Sequence, residues 1–232
     1  MSKIENSKGR KDGNSGYGRV LGNTELGRLL SRVQATVISN GTELERMLAV
    51  RCRQIEDIDR FIDDATAAKV EDGTYICLKK VFKKSTKYKP GQSPFGKHVE
   101  PDMLVFVVEA YRLCKVLEIK DGDMFDTKKS EAEKQNLEWF STVFGSKIPF
   151  ATDYYICSFN QEDKNRIREG FKNIFDLDHI MTGKELCTLL GIDYAEIIAE
   201  READAAVNFD YFIDELLAIP EVKEAISERL EK

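Results

Sequence analysis

The sequence predicts an α/β protein with a helical C-terminal extension, on three observations. Two amphipathic helical patterns occupy residues 24–39 and 42–63. Runs rich in β-branched and aromatic residues come next at 75–82, 103–108, 112–117 and 151–159, with a helix-length segment between the last two. Beyond residue 160 the patterns are helical. Strands and helices alternating in this way build a sheet with helices laid against it.

Taken in order, residues 1–22 are rich in Gly, Ser, Asn, Lys and Arg and read as a flexible basic arm. The first helix, 24–39, carries Leu26, Leu29, Leu30, Val33, Val37 and Ile38 at helical spacing, capped by Asn23 or Thr24. Asn40-Gly41 breaks it, and a second helix, 42–63, opens at Thr42. A strand is expected at 75–82. Residues 103–108 and 112–117 are short enough, and close enough across Glu109-Ala110-Tyr111, to form an antiparallel hairpin. A helix over 127–144 presents Leu137, Trp139, Phe140 and Val143, and 151–159 reads as a core strand. Further helices are expected at 162–174, 186–190, 193–202, 211–217 and 221–230. Thr182-x-x-Glu185 is a capping box, Gly191 a stop and Pro220 a start. Three regions result: the arm 1–22, a core 23–160, and a helical region 161–232 packed on the core.

A chain of 232 residues, 42% hydrophobic and 33% charged, has the make-up of a soluble domain with a substantial core. No apolar run approaches a membrane span, and the N-terminus lacks a signal-peptide core. Five cysteines (Cys52, Cys77, Cys114, Cys157, Cys187) are odd in number and widely spaced. They argue against disulfides and a zinc site, and for a cytoplasmic protein. His98 and His179 are too scattered for a histidine-based mechanism, and no phosphate-binding glycine loop or dinucleotide fingerprint is present.

The informative cluster is Glu100-Pro101-Asp102, then fifteen residues, then Glu118-Ile119-Lys120. Along the second hairpin strand Arg112, Cys114, Val116, Glu118 and Lys120 share one face, and Leu113, Lys115, Leu117 and Ile119 the other. Closing the hairpin brings Asp102 opposite Glu118 and Lys120. Mg²⁺ favours oxygen ligands, which Asp102, Glu118 and the Ile119 carbonyl supply. Lys120 would then orient an attacking water or balance transition-state charge, the requirement of phosphodiester cleavage. A salt-bridged strand end would show the same residues without the chemistry.

Pro101-Asp102 and Glu118-Ile119-Lys120, with the continuation Asp121 to Lys129, resemble the PD-(D/E)xK nuclease superfamily and specifically type II restriction endonucleases. The resemblance spans about residues 40–160. It implies a restriction-endonuclease-like core with a central mixed sheet flanked by helices. It further implies Mg²⁺-dependent, sequence-specific cleavage of double-stranded DNA to 5′-phosphate ends, a homodimer, and a companion methyltransferase. In many members an upstream helix adds a metal-site glutamate; Glu45 is the first candidate here and Glu43 the second.

The net charge of −6 is unusual for a DNA-binding protein, but residues 73–99 hold no acid and seven lysines. Lys79, Lys80, Lys83, Lys84, Lys87, Lys89 and Lys97, interleaved with Phe82, Tyr88 and Phe95, read as a phosphate-contacting segment or as a solvated loop. Lys128 and Lys129 begin the 127–144 helix and are further phosphate candidates. Two alternatives stand beside a restriction enzyme: a structure-selective or repair nuclease of the same fold, and a catalytically silent DNA-binding module.

Overall fold

The computed structural model describes residues 1–9, 16–95, 100–122 and 127–231. By their internal contacts these form two units, Met1–Glu43 with Ala195–Lys232, and Leu44–Tyr194. Short helices α1 (Lys3–Asn6) and α2 (Gly16–Leu21) precede α3, which runs unbroken from Thr24 to Ala49.

The break expected at Asn40-Gly41 is therefore absent, and Thr42 caps nothing. Buried Leu44, Met47 and Leu48 continue the stripe of buried Leu29 and Thr36 at helical spacing. That packing outweighs the glycine's cost of about 1 kcal/mol in a helix interior. After α3 the chain leaves helix for the two-residue strand β1 (Arg53–Gln54). Helix α4 (Ile58–Thr66) comes next, capped by Asp57, whose side chain accepts from the Arg60 N–H at 3.0 Å.

Strand β2 (Gly73–Leu78) ends sooner than expected, and α5 (Lys79–Phe82) replaces its last residues. Continued as a strand, Phe82 would project on the face opposite Cys77. The helical turn instead delivers it to Phe140 and Phe144, at ring-centroid distances of 5.1 and 5.5 Å. The hairpin forms as β3 (Met103–Val108) and β4 (Leu113–Lys120), and α6 (Thr127–Gly145) and β5 (Ala151–Ser158) come after it. Helix α7 (Lys164–Gly170) is short because Lys172 and Asn173 turn left-handed, with φ of 58° and 59°. Strand β6 (Ile180–Thr182) is not expected from the sequence: three residues carry no legible period. Helix α8 (Gly183–Leu190) has the expected capping box and a left-handed Gly191.

Six strands make one mixed sheet in sequential order. β1–β2, β4–β5 and β5–β6 are parallel; β2–β3 and β3–β4 are antiparallel. One face packs Leu104, Phe106, Val116 and Ile156 with Ile62 of α4, Leu137 and Phe140 of α6 and Ile167 of α7. Helix α8 touches β2, β5 and β6. The polarity of the strands puts the end of β1, β2, β4, β5 and β6, and the start of β3, at one edge of the sheet.

The other unit is helical. Helix α9 (Tyr194–Leu217) is continuous where two helices are expected, because Ala203, Ala205 and Ala206 in between are strong helix formers. Helix α10 (Pro220–Leu230) starts with Pro220 at its first turn. Within this unit Asn208 accepts from Ser2 Oγ and the Lys3 N–H, both at 2.8 Å. Arg32 donates to Glu215 at 3.2 Å and to the Tyr211 hydroxyl at 2.7 Å. No helix among the described residues is long and apolar enough to cross a membrane.

Candidate active site

The cluster is assembled where β3 begins and β4 ends. Asp102 stands one residue before β3, and its Oδ2 accepts the Ile119 N–H at 3.0 Å. This bond continues the β3–β4 ladder with a side chain in place of a backbone carbonyl. Extending the register of Met103 opposite Leu117 sets Pro101 opposite Ile119. Proline has no N–H, so it gives the Ile119 carbonyl no ladder bond. The Pro-Asp dipeptide thus engages the Ile119 donor while leaving the adjacent acceptor to other ligands.

Glu118 and Lys120 project from the same face of β4. Lys120 Nζ donates to Glu118 Oε1 at 2.5 Å and to Glu133 Oε1 at 2.9 Å. The Lys79 amine lies 3.9 Å from Asp102 Oδ1. Glu45, in the last two turns of α3, feels the charges of Asp102, Lys79 and Lys120. Glu43 instead pairs with Lys3 at 3.7 Å. Two residues apart, they project about 200° from one another around the helix, so both cannot face the same point.

Burial pushes the Glu118 carboxyl far above the ordinary carboxylate value; the charge of Asp102 adds to the rise and the Lys120 ammonium opposes it. Glu45 is raised to about 7, first by burial and then by Asp102, against Lys79 and Lys120. Burial also disfavours the Lys120 charge, but Glu118 and Glu133 outweigh it and hold the ammonium firmly protonated. Four carboxyl groups (Glu45, Asp102, Glu118, Glu133) interact with two amines (Lys79, Lys120), and the raised Glu45 and Glu118 values show that the cluster disfavours ionising all four without added positive charge.

The basic segment is more internally engaged than its composition suggests. Lys83 and Lys89 reach Glu100 at 2.9 and 3.8 Å. Lys87 pairs with Asp63. Lys80, Lys84, Lys128 and Lys129 are exposed. Lys97 lies outside the described residues, as do His98 and residues 123–126 of the continuation.

Glu133 is absent from the residues singled out by sequence, although a signal exists. It stands four residues before Leu137 and seven before Phe140, on the buried stripe of α6, where an acid needs a partner. The sequence presents Lys79 as a DNA contact, and its place beside Asp102 arises only from the turn that ends β2. Asn160 is a further addition; it donates to the Asp121 carbonyl at 2.7 Å and its carboxylate at 2.8 Å, tying the loops after β4 and β5.

Acidic oxygens, a half-buried amine and exposed lysines at one edge of a mixed sheet fit a nuclease that acts on a phosphodiester backbone. Comparison with known proteins specifies the class. The chain is 63% identical over 227 residues to the type II restriction enzyme HhaII of Haemophilus parahaemolyticus, spanning 97% of this chain and 98% of that protein. It belongs to the type II restriction enzyme family and is a site-specific DNA endonuclease. No family model matches the chain, and no solved structure does. Membership favours this activity over structure-selective cleavage or silent binding.

Proposed function

We propose that the enzyme hydrolyses duplex DNA with Mg²⁺ at a PD-(D/E)xK-type site formed by Asp102, Glu118 and Lys120, leaving 5′-phosphate and 3′-hydroxyl ends. The observation that carries this reading is the Asp102–Ile119 bond, which joins the Pro-Asp dipeptide to the Glu-x-Lys strand. The donor set fits a hard divalent cation. Asp102, Glu118 and the Ile119 carbonyl are all oxygen ligands, Glu45 interacts electrostatically with Asp102, and a divalent cation would favour ionisation of the raised Glu118 and Glu45 carboxyls. Among the described residues no three acidic, His or Cys side chains converge closely enough to hold an ion unaided. Mg²⁺ tolerates this, because it takes one or two carboxylates and completes its shell with water and phosphate oxygens.

When bound, such a cation polarises the scissile phosphoryl group and offsets its developing charge. The protein's own groups do the rest. Asp102 and Glu118 would hold the cation, and the bond from the Ile119 N–H keeps the Asp102 carboxylate from rotating away. Lys120 keeps its proton and presents Nζ as a donor that orients the attacking water and faces the charged phosphate. Exposed Lys80, Lys84, Lys128 and Lys129 contact the DNA backbone, joined by Lys79, Lys83, Lys87 and Lys89 where DNA displaces their present partners, and by Lys97.

A homodimer would set one such site on each strand of a palindromic target. Five free thiols suit a cytoplasmic protein, and a companion methyltransferase would protect host DNA. The test is incubation with long unmethylated duplex DNA and Mg²⁺, with EDTA as control. Discrete, EDTA-sensitive fragments are expected. A smear would contradict site-specific cutting, and undiminished cutting in EDTA would contradict the metal.

A further inference from the structure

We propose that Glu133 is a positioning residue for cleavage, keeping the Lys120 ammonium in the site when Glu118 turns to a divalent cation. The inference rests on the proposed roles of Asp102, Glu118 and Lys120. Lys120 is held by two carboxylates from different elements, Glu118 of β4 at 2.5 Å and Glu133 of α6 at 2.9 Å. All three side chains are largely shielded, at 23% exposure for Lys120, 15% for Glu118 and 25% for Glu133.

The two carboxylates do not have equivalent duties. Glu118 follows the alternation of β4 and stands in the Asp102 field, where a cation would be held. An oxygen that ligates a cation is a poorer acceptor for an ammonium, and the cation itself repels that ammonium. Without a second partner, the flexible four-carbon stem of Lys120 would carry Nζ toward solvent. Glu133 supplies that partner from a helix that cannot easily shift, since Leu137, Phe140 and Phe144 of α6 are fully buried or nearly so. Partners of this kind cost about 10- to 100-fold in metal affinity or activity when removed.

The alternative is that the Glu133–Lys120 pair only fastens α6 to β4. Glu133→Ala and Glu133→Gln in the full-length protein separate the two. Positioning predicts that Glu133→Ala lowers the single-turnover cleavage rate about 10- to 100-fold, with DNA affinity measured without Mg²⁺ and thermal melting close to wild type. Glu133→Gln, whose amide oxygen still accepts from Nζ, should recover most of the rate. Calorimetric titration of the metal-free protein gives a second readout. Mg²⁺ should bind Glu133→Ala severalfold more weakly, and adding Lys120→Ala should abolish that deficit, because no ammonium then competes for Glu118.

Wild-type cleavage by Glu133→Ala, with Asp102→Ala inactive, would overturn the positioning role alone. Equal losses of rate and melting temperature in both Glu133 variants would overturn it in favour of a structural tie. Wild-type cleavage by Asp102→Ala would overturn the site reading itself.

Discussion

Asp102 has separate work for its two oxygens: Oδ2 takes the Ile119 N–H while Oδ1 faces Lys79. Asp102→Asn keeps an acceptor for Ile119 but removes the charge a cation needs. Its melting temperature should therefore stay near wild type, while Mg²⁺ affinity by calorimetry and cutting on gels both collapse. A collapse of melting temperature instead would make Asp102 a structural residue. Glycine at 183 is a different kind of requirement. A Cβ there would lie 2.2 Å from the Phe159 carbonyl oxygen, where the end of β5 passes the start of α8. Gly183→Ala should cost about 1–3 kcal/mol or more through overpacking, read as a lower denaturant midpoint. An unchanged midpoint would show that the Phe159 backbone gives way freely.

At the scale of elements, the segment after α5 is tied to α4 by Asp59. Its carboxylate accepts from Ser85 Oγ at 2.5 Å and from the Thr86 and Lys87 N–H groups at 2.9 and 3.1 Å. Burial alone would raise the Asp59 pKa, but these donors outweigh it and hold the pKa below its ordinary value. A depressed carboxylate pKa stabilises the fold above the unfolded value, and that contribution disappears as pH falls through the folded value. The melting-temperature gap between wild type and Asp59→Ala should thus be widest near neutral pH and narrow in acid. A gap that stays constant into strong acid would exclude an ionised tether.

Elements also differ in how far the sequence discloses them. The hairpin, the Thr182 capping box and the placement of Asp102, Glu118 and Lys120 are legible because each depends on near neighbours and a period of two or 3.6. The continuity of α3 through Asn40-Gly41 is not, since local propensity there yields to burial of Leu44, Met47 and Leu48. The turn at Lys79 depends on where Phe140 and Phe144 lie, about sixty residues onward. Glu133 is a long-range partner of Lys120, visible in one dimension only as an acid on an apolar stripe.

For the whole molecule, the proposed site puts DNA at the edge where β3 begins and β4 ends, and many of the lysines there are already paired within the protein. Glu100, Asp102 and Asp63 already engage Lys79, Lys83, Lys87 and Lys89, so on the proposed reading the lysines without such a partner carry more of the phosphate attraction. Exposed Lys80 and Lys84 should contribute most to binding: each alanine variant should reduce the salt-dependence slope of DNA affinity by about 1. Lys87→Ala should change the slope less, because its partner Asp63 is released at the same time. Fluorescence anisotropy over a salt series would check this, and equal slopes for all three variants would contradict it.

On the proposed mechanism Asp102 and Lys120 serve one site in different ways, the first chiefly by holding a cation and the second by acting on the reacting phosphate. Single-turnover cleavage and Mg²⁺ titration of Asp102→Ala and Lys120→Ala, side by side, test this most directly. Both variants should stop cutting, about 10²-fold or more below wild type, and only Asp102→Ala should lose Mg²⁺ binding. Wild-type cleavage by either variant, or loss of Mg²⁺ binding in Lys120→Ala with retention in Asp102→Ala, would contradict it.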